Sequence, residues 1–503
     1  MKKGIETRNK LYEKNVFSWR SVRDALEGSD TVKRMNELYL PMPQGFVDDD
    51  SAPTSSVGTT PTLNQNENLS ELVQGAPYYH TNPAYRAYLQ RARFSEITLF
   101  TLKGLLGIAT KKEMNIKLPS KIKYMEEKAT KDGKSIQELY KYCLSETLSQ
   151  GRVTLTVDVN QADNTCSIVP YASSSFLDWK TNEETGDTEF AKFCETETVF
   201  KDNSFEVEEQ EVYFIYSIGA EGEVVLTKYS GDDEIDKTPS LQGSFFNSIP
   251  VVTIGSITNQ NDPSPVPLFG ISEIAYSMYR KDADLSQAEY MTCNPMFVIT
   301  GADSEGGVPV MMGSTVALVL GNPDAKAFFT KTDTGALNHV QSAIEKLREE
   351  AATLGVSIIG AVKKAAEAAE TTRIKQGSQS STLIVTVDNV SKGIEVALKI
   401  CAEISGVNPD QVSFSASTDF IERTLAPSML KQLVVAMQLD AISHETVLET
   451  IIDSGLLTEG VTAEEELARI SIQGPFANET GASYEEETEE EEEESESEES
   501  TGE

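Results

Sequence analysis

Two stretches of this 503-residue chain repeat apolar side chains in alternating steps of 3 and 4. Leu337, Val340, Ile344, Leu347, Ala351 and Leu354 form the first stripe, and Val387, Val390, Ile394, Ala397, Cys401 and Ile404 form the second. Such a period fits only an α-helix, and it keeps the apolar seam narrow. A thin seam must lie against another helix to leave water, which fits side-by-side packing with similar helices of a neighbouring subunit. It equally fits ordinary core helices of the chain's own domain. Periodicity alone leaves both destinations open.

Around these stripes the chain alternates between helical and extended signals. Residues 1–40 carry a helical pattern around Trp19 to Leu26, and 41–76 read as a Pro/Ser/Thr/Asn-rich loop. Asn82-Pro83 is a helix start, an N-cap followed by proline at the first helical position, with Tyr85, Tyr88, Leu89 and Ala92 at helical spacing behind it. Ser135-Ile136-Gln137-Glu138 is a capping box that opens a helix ended by Gly151. The period then falls to two. Val153–Val157, Val212–Tyr216 and Ile249–Ile254 read as strands, so 151–256 is a mainly β segment. Behind Pro263, Pro265 and Pro267, Leu268 to Tyr290 reads as a helix, and 292–335 as strands and turns. Gly355 to Ser381 sets glycines around an alanine-rich run and reads as a movable loop and helix start. Pro427, Ser443 and the capping box Thr462–Glu465 start three short helices toward the C-terminal end. The fold class expected from these signals is α+β, mainly helical.

Charge narrows the function. Eighty acidic against 43 basic side chains leave a net charge of −37, which disfavours a nonspecific grip on nucleic acid or on an anionic membrane. Between Glu479 and Glu503 there are 14 glutamates and no basic residue. That tail is expected to be disordered, because no apolar burial offsets its ordering entropy. Residues 83–134 carry a net +7 and residues 195–240 a net −10. The folded part is therefore electrically polarised, either as complementary patches between subunits or toward a partner, or as two solvated faces. The five cysteines, Cys143, Cys166, Cys194, Cys293 and Cys401, form no Cys-x-x-Cys pair, which points away from a disulfide framework and toward a reducing compartment. Glu6, Arg8 and Lys10 stand where a signal's apolar stretch would be, and no apolar run approaches a membrane span.

A search for chemistry finds little. The three histidines, His80, His339 and His444, lie too far apart in sequence to suggest a zinc site or a triad. His444-Glu445-Thr446-Val447-Leu448 opens like a zincin motif but lacks the second histidine, and a helix start explains it better. No P-loop, nucleophile elbow or dinucleotide fingerprint is present. Asp282-Ala283-Asp284 reads as a solvated helix face and Asp232-Asp233-Glu234 as a turn rather than as cation sites. No catalytic residue, metal site or cofactor is assigned, and the chain is expected not to be an enzyme.

The order of elements carries a resemblance. A helix, a β-rich excursion, a second helix, a Gly/Ala loop and a long helix follow one another between residues 261 and 424. Near the end come Ala441-Ile442-Ser443-His444-Glu445-Thr446, Asp453, and Glu464-Glu465-Glu466-Leu467-Ala468-Arg469-Ile470. Earlier come Trp19-Arg20 with Arg23-Asp24, Arg91-Ala92-Arg93-Phe94 with Thr101-Leu102-Lys103-Gly104-Leu105, and Gly151-Arg152 before Val157-Asp158. Taken together over roughly residues 15–475, these features resemble the portal proteins, or head-to-tail connectors, of tailed bacteriophages. The loop at 41–76 and the long glutamate tail are not portal signatures.

The resemblance implies a portal-like division: a wing at 1–260 (helical 1–150, β-rich 151–260), a first stem helix at 261–291, a clip at 292–335 and a second stem helix at 336–354. A tunnel-loop region at 355–382, a long wing helix and return at 383–424, crown helices at 425–475 and a disordered acidic tail at 476–503 complete it. It also implies a homo-oligomeric ring of about twelve subunits at a unique capsid vertex in the virion, assembled in the host bacterial cytoplasm. Its partners would be terminase, the major capsid protein and neck or adaptor proteins, with double-stranded DNA passing through without sequence specificity and no membrane. Within that division Lys346, Arg348, Lys363 and Lys364 are the channel and tunnel-loop candidates, set against solvated charges or intersubunit ion pairs. Leu337, Val340, Ile344, Leu347, Val387, Val390 and Ile394 are the intersubunit stripe candidates. Two other classes fit the same residues: another oligomeric phage head or neck protein, and a multidomain enzyme working with carboxylates alone, which would need two of them converging on one cleft.

Overall fold

A computed structural model describes most of residues 4–46 and 82–418, with 442–453 and 467–469; the main segments outside it are 47–81, 161–164, 201–204, 301–323, 330–334, 360–380, 419–441, 454–466 and 470–503. The chain divides into two units, residues 1–418 and 419–503. In the first, α1 (Lys10–Glu27), α2 (Ser29–Arg34), α3 (Pro83–Arg91) and α4 (Ile97–Ala109) precede a short strand β1 (Asn115–Lys117) and α5 (Ile136–Gln150). Strands follow: β2 (Arg152–Asn160), β3 (Thr165–Ala172), β4 (Phe176–Thr181), β5 (Thr188–Phe200), β6 (Val207–Ile218) and β7 (Val224–Ser230). After them come β8 (Asp233–Lys237), β9 (Ser240–Leu241), β10 (Ser244–Phe245) and β11 (Val251–Gly255). Then come α6 (Phe269–Cys293), β12 (Phe297–Thr300), β13 (Lys326–Phe329), α7 (Gly335–Ile359), α8 (Ser381–Ile404) and β14 (Ser413–Ser415). In the second unit α9 (His444–Asp453) begins where Ser443 Oγ accepts the Thr446 amide at 3.2 Å. His444-Glu445 is thus a helix start.

Local chemistry accounts for the helix ends. Asn82 Oδ1 accepts the Ala84 and Tyr85 amides with Pro83 behind it, and Ser135 and Glu138 close a reciprocal capping box at α5. Gly151 ends α5 at φ +77°, and a Cβ there would lie 3.0 Å from the Pro265 carbonyl oxygen, so both backbone and space demand glycine. All sheets among the described residues are antiparallel: β11–β2–β3 with three strands, β4–β5–β6–β7–β8 with five, and the pairs β1–β14, β9–β10 and β12–β13. Asp233 and Glu234 pair with Ser230 and Tyr229 in β8, so the acidic run is an edge strand and not the expected turn.

The second stripe is the spine of this unit. Val387, Val390, Ile394, Ala397 and Cys401 are fully buried where α8 packs on β11, β2, β3 and α5. These side chains are already out of water within one chain and have no surface left for a neighbour, so the stripe does not supply the intersubunit seam expected of it. The buried face is also broader than the seam, because Leu383, Thr386, Ser391, Leu398 and Ala402 are buried beside it. Its two polar members escaped an apolar pattern. Thr386 donates to the Thr382 carbonyl at 2.7 Å, and Ser391 Oγ accepts the Ala416 amide at 3.2 Å. At roughly 1.5–3 kcal/mol for each large aliphatic side chain buried, this helix-on-sheet contact is a main source of the unit's stability.

Arg152 makes a second core. It is fully buried, with its guanidinium carbon 4.3 Å from the Trp179 ring centre, 4.9 Å from Phe176 and 5.4 Å from Trp19. It donates to the Asn261 carbonyl and, at 3.2 Å, to the Phe176 carbonyl. Burial pulls its pKa down, opposed first by the Asp262 carboxylate, which accepts the Trp179 indole N–H at 2.8 Å.

Candidate functional site: a braced helix pair and its hairpin

α6 and α7 are each 25 residues, about 37 Å at 1.5 Å per residue. They run antiparallel: β12 and β13 pair between them in sequence, Phe297 opposite Phe329 and Thr300 opposite Lys326, and Gly270 at the start of α6 meets Leu354 near the end of α7. Their seam is Ile274, Met278 and Leu285 of α6 against Ile344 and Ala351 of α7, with Leu337, Val340 and Leu347 half-buried beside it. The first stripe thus pairs α7 with α6 of the same chain. Its narrowness leaves much of the described surface of α7 in water, and Lys346 and Arg348 are exposed there with Glu345, Glu349 and Glu350. Lys363 and Lys364 lie outside the described residues.

The opposite face of α6 is clamped to the N-terminal helices. Ala275, Tyr276, Tyr279 and Ala283 pack against Tyr39, Leu40, Tyr85, Tyr88 and Phe94. Tyr276 stacks on Tyr39 at 4.3 Å between ring centres and donates to the Ser21 carbonyl at 2.6 Å. Tyr39 in turn donates to Asp24 Oδ2 at 2.5 Å, a carboxyl whose pKa is raised chiefly by burial. Farther along, Tyr88 donates to Asp284 at 2.7 Å, the Arg93 amide to Asp282 at 2.8 Å, and Arg91 to Gln287 while lying 4.3 Å from the Tyr290 ring centre. Asp282 and Asp284 thus tie α6 to α3 and to the segment just after it, while Asp284 stays exposed as the solvated-face reading expects. Sequence reading missed this brace; the excess of basic residues between 83 and 134 was its only trace.

Toward the hairpin, burial fades. Tyr290 and Met291 at the end of α6 and Phe328 in β13 are about half-exposed, and Asn338, His339, Gln341 and Ser342 of α7 are exposed. Among the described residues the arrangement is a helix pair fixed at its base, with a half-exposed distal end.

Three carboxylates, Asp132, Asp158 and Glu195, line one cleft of about 460 Å³ between α5 and the two large sheets. Asp158 faces Lys131 at 3.5 Å and accepts the Val159 amide at 2.9 Å, so its side chain is engaged by structural partners. Among the described residues no group of three or more His, Cys, Asp or Glu side chains could hold a metal, Cys143, Cys166, Cys194 and Cys401 are free thiols, and no helix is long and apolar enough to cross a membrane.

The family described as "Domain of unknown function (DUF4055)" matches residues 267–404, from just before α6 to the end of α8. No curated protein matches the chain. Among solved structures, the chain is similar to one from the neck of an empty gene transfer agent particle, at 11% identity, covering 71% of this chain and 90% of that one, with a TM-score of 0.38. A chain from the virion of a native gene transfer agent particle is similar at 12% identity, 71% and 89% coverage and a TM-score of 0.38. Likeness at this level carries no functional argument.

Proposed function

We infer that the chain is the subunit of a portal ring of a tailed-phage head. The observation that supports this is the braced pair of 25-residue helices with a hairpin at its distal end, followed by a long helix buried in the body. The distal half of the pair, with exposed polar residues on α7 and half-exposed aromatics at its tip, lacks company, and a ring of such pairs around an axis would supply it. In this reading α6 and α7 are the stem, the hairpin segment is the clip, α8 is the wing helix, and DNA passes along the ring axis. A conduit must not grip DNA, because every phosphate neutralised by Lys or Arg adds salt-dependent affinity, and a net charge of −37 suits passage. Lys346 and Arg348, exposed on α7, and Lys363 and Lys364 are the candidates for transient phosphate contact. Terminase, the major capsid protein and neck proteins would dock on the ring at one vertex of the virion, and the subunit performs no catalysis.

Native mass measurement of the purified chain tests the oligomer. About twelve copies of the 55.1 kDa chain are expected in one closed species, on the order of 660 kDa. A 55.1 kDa monomer that persists at high protein concentration would overturn the reading and favour a carboxylate enzyme built on the Asp158–Glu195 cleft.

A further inference from the structure

The ribbon formed by β5 and β6 overruns its sheet. β4 pairs with β5 only as far as Phe193, and β7 pairs with β6 only from Val212 onward. Yet β5 and β6 stay paired through Thr196↔Glu211, Glu197↔Gln210, Thr198↔Glu209, Val199↔Glu208 and Phe200↔Val207. Over these five rungs no third strand is present among the described residues. A bare two-stranded ribbon is marginal in water and offers unpaired edges on both sides. Its apolar side chains are uncovered as well: Val199 and Val207 are about half-exposed and Phe205 is fully exposed. Glu208, Glu209 and Glu211 are exposed on the same arm.

A matching surface lies on α4. Phe100 is 67% exposed, Lys103, Gly104 and Gly107 follow it on one face of α4 at i+3, i+4 and i+7, and Lys111 lies just past the helix end. Glycine inside a helix costs about 1 kcal/mol relative to alanine. Among the described residues no close packing calls for either glycine, since a Cβ at Gly104 or Gly107 would meet no atom within 4 Å. The result is a shallow apolar trough, open beside Phe100 and edged by Lys103, Lys111 and Lys112. It sits in the segment of net +7, while the arm belongs to the segment of net −10.

We propose that the acidic β5–β6 arm of one copy docks on the α4 trough of the next copy of this chain. Phe205 and Val207 enter beside Phe100 over Gly104 and Gly107, and Glu209 and Glu211, which share a ribbon face with Val207, meet Lys103 and Lys111. Each copy then carries one arm and one trough, a head-to-tail contact that closes when repeated around an axis. This rests on the ring reading and assigns the contact that the buried stripe of α8 cannot make.

The full-length double variant Phe205→Cys with Gly104→Cys tests it, oxidised by glutathione disulfide and run on a non-reducing gel. Each cross-link forms one S–S bond between two cysteine thiols of neighbouring copies, while one glutathione disulfide is reduced to two glutathione thiols and takes up the two electrons and two protons. A ladder of covalent multimers is expected for the double variant and is absent in each single variant. In parallel, reversing Glu209 and Glu211 to lysine should raise the concentration needed for half-assembly at least tenfold, with the melting curve of the subunit unchanged. Reversing Lys103 and Lys111 to glutamate in the same chain should restore assembly. Rings that form normally without cross-links and ignore the charge reversal would overturn the arm contact while leaving the ring reading intact. A cross-link confined to monomers would overturn it too, and a parent chain that never assembles would overturn both.

Discussion

Ile394→Asp is expected to prevent the subunit from folding. Ile394 is fully buried on α8 beneath β11, next to Gly393, where a Cβ would come within 2.7 Å of Ile254 Cδ1. Among the described residues the buried face of α8 is apolar apart from Thr386 and Ser391 and carries no cation to pair with a carboxylate. An uncompensated buried charge with loss of the apolar contact destabilises by about 4 kcal/mol or more, a large part of the total stability of a domain. Val396→Asp, two residues on and about half-exposed on the same helix, is the control and should change stability by about 0.5 kcal/mol or less. Circular dichroism melts and limited proteolysis distinguish the outcomes. A folded but unassembled Ile394→Asp subunit would mean that the second stripe is an intersubunit surface after all.

The second large effect is expected from a change that conserves charge. Arg152→Lys keeps a cation among Trp19, Phe176 and Trp179 but removes the planar fork that reaches both the Asn261 and Phe176 carbonyls. At least one buried carbonyl loses its donor, worth about 1–3 kcal/mol, and an ammonium is more strongly hydrated than a guanidinium and stacks less well on rings. A loss of roughly 3 kcal/mol follows, read as a lower denaturant midpoint at unchanged slope. A midpoint within error of the parent would show that stacking and the paired donors contribute little.

These two sites also mark how far the sequence could be read. The helix starts at Asn82 and Ser135 are encoded within three or four neighbouring residues, so they were legible and formed as expected. The two stripes were legible as helices, but their destination was not, because a 3.5-residue period says only that a seam is buried. Burial of Thr386 and Ser391 depends on carbonyl and amide partners that no apolar pattern contains. β3 was missed with Pro170 inside it, paired opposite Leu155, and β8 was read as a turn because its acidic residues resemble a loop when viewed alone. The cluster around Arg152 joins residues 19, 152, 176, 179 and 261, and only the completed fold brings them together. The brace of α6 had the same character: Asp282 and Asp284 find Arg93 and Tyr88 across nearly 200 residues of chain.

The ring itself is best tested by electron microscopy of the purified assembly at a resolution that traces helices. The expected particle is a closed ring with an axial channel, in which the α6–α7 pairs stand next to the axis and the β12–β13 hairpins lie together at one end. A particle without a channel, or a ring whose helix pairs point outward from the axis, would contradict the portal assignment.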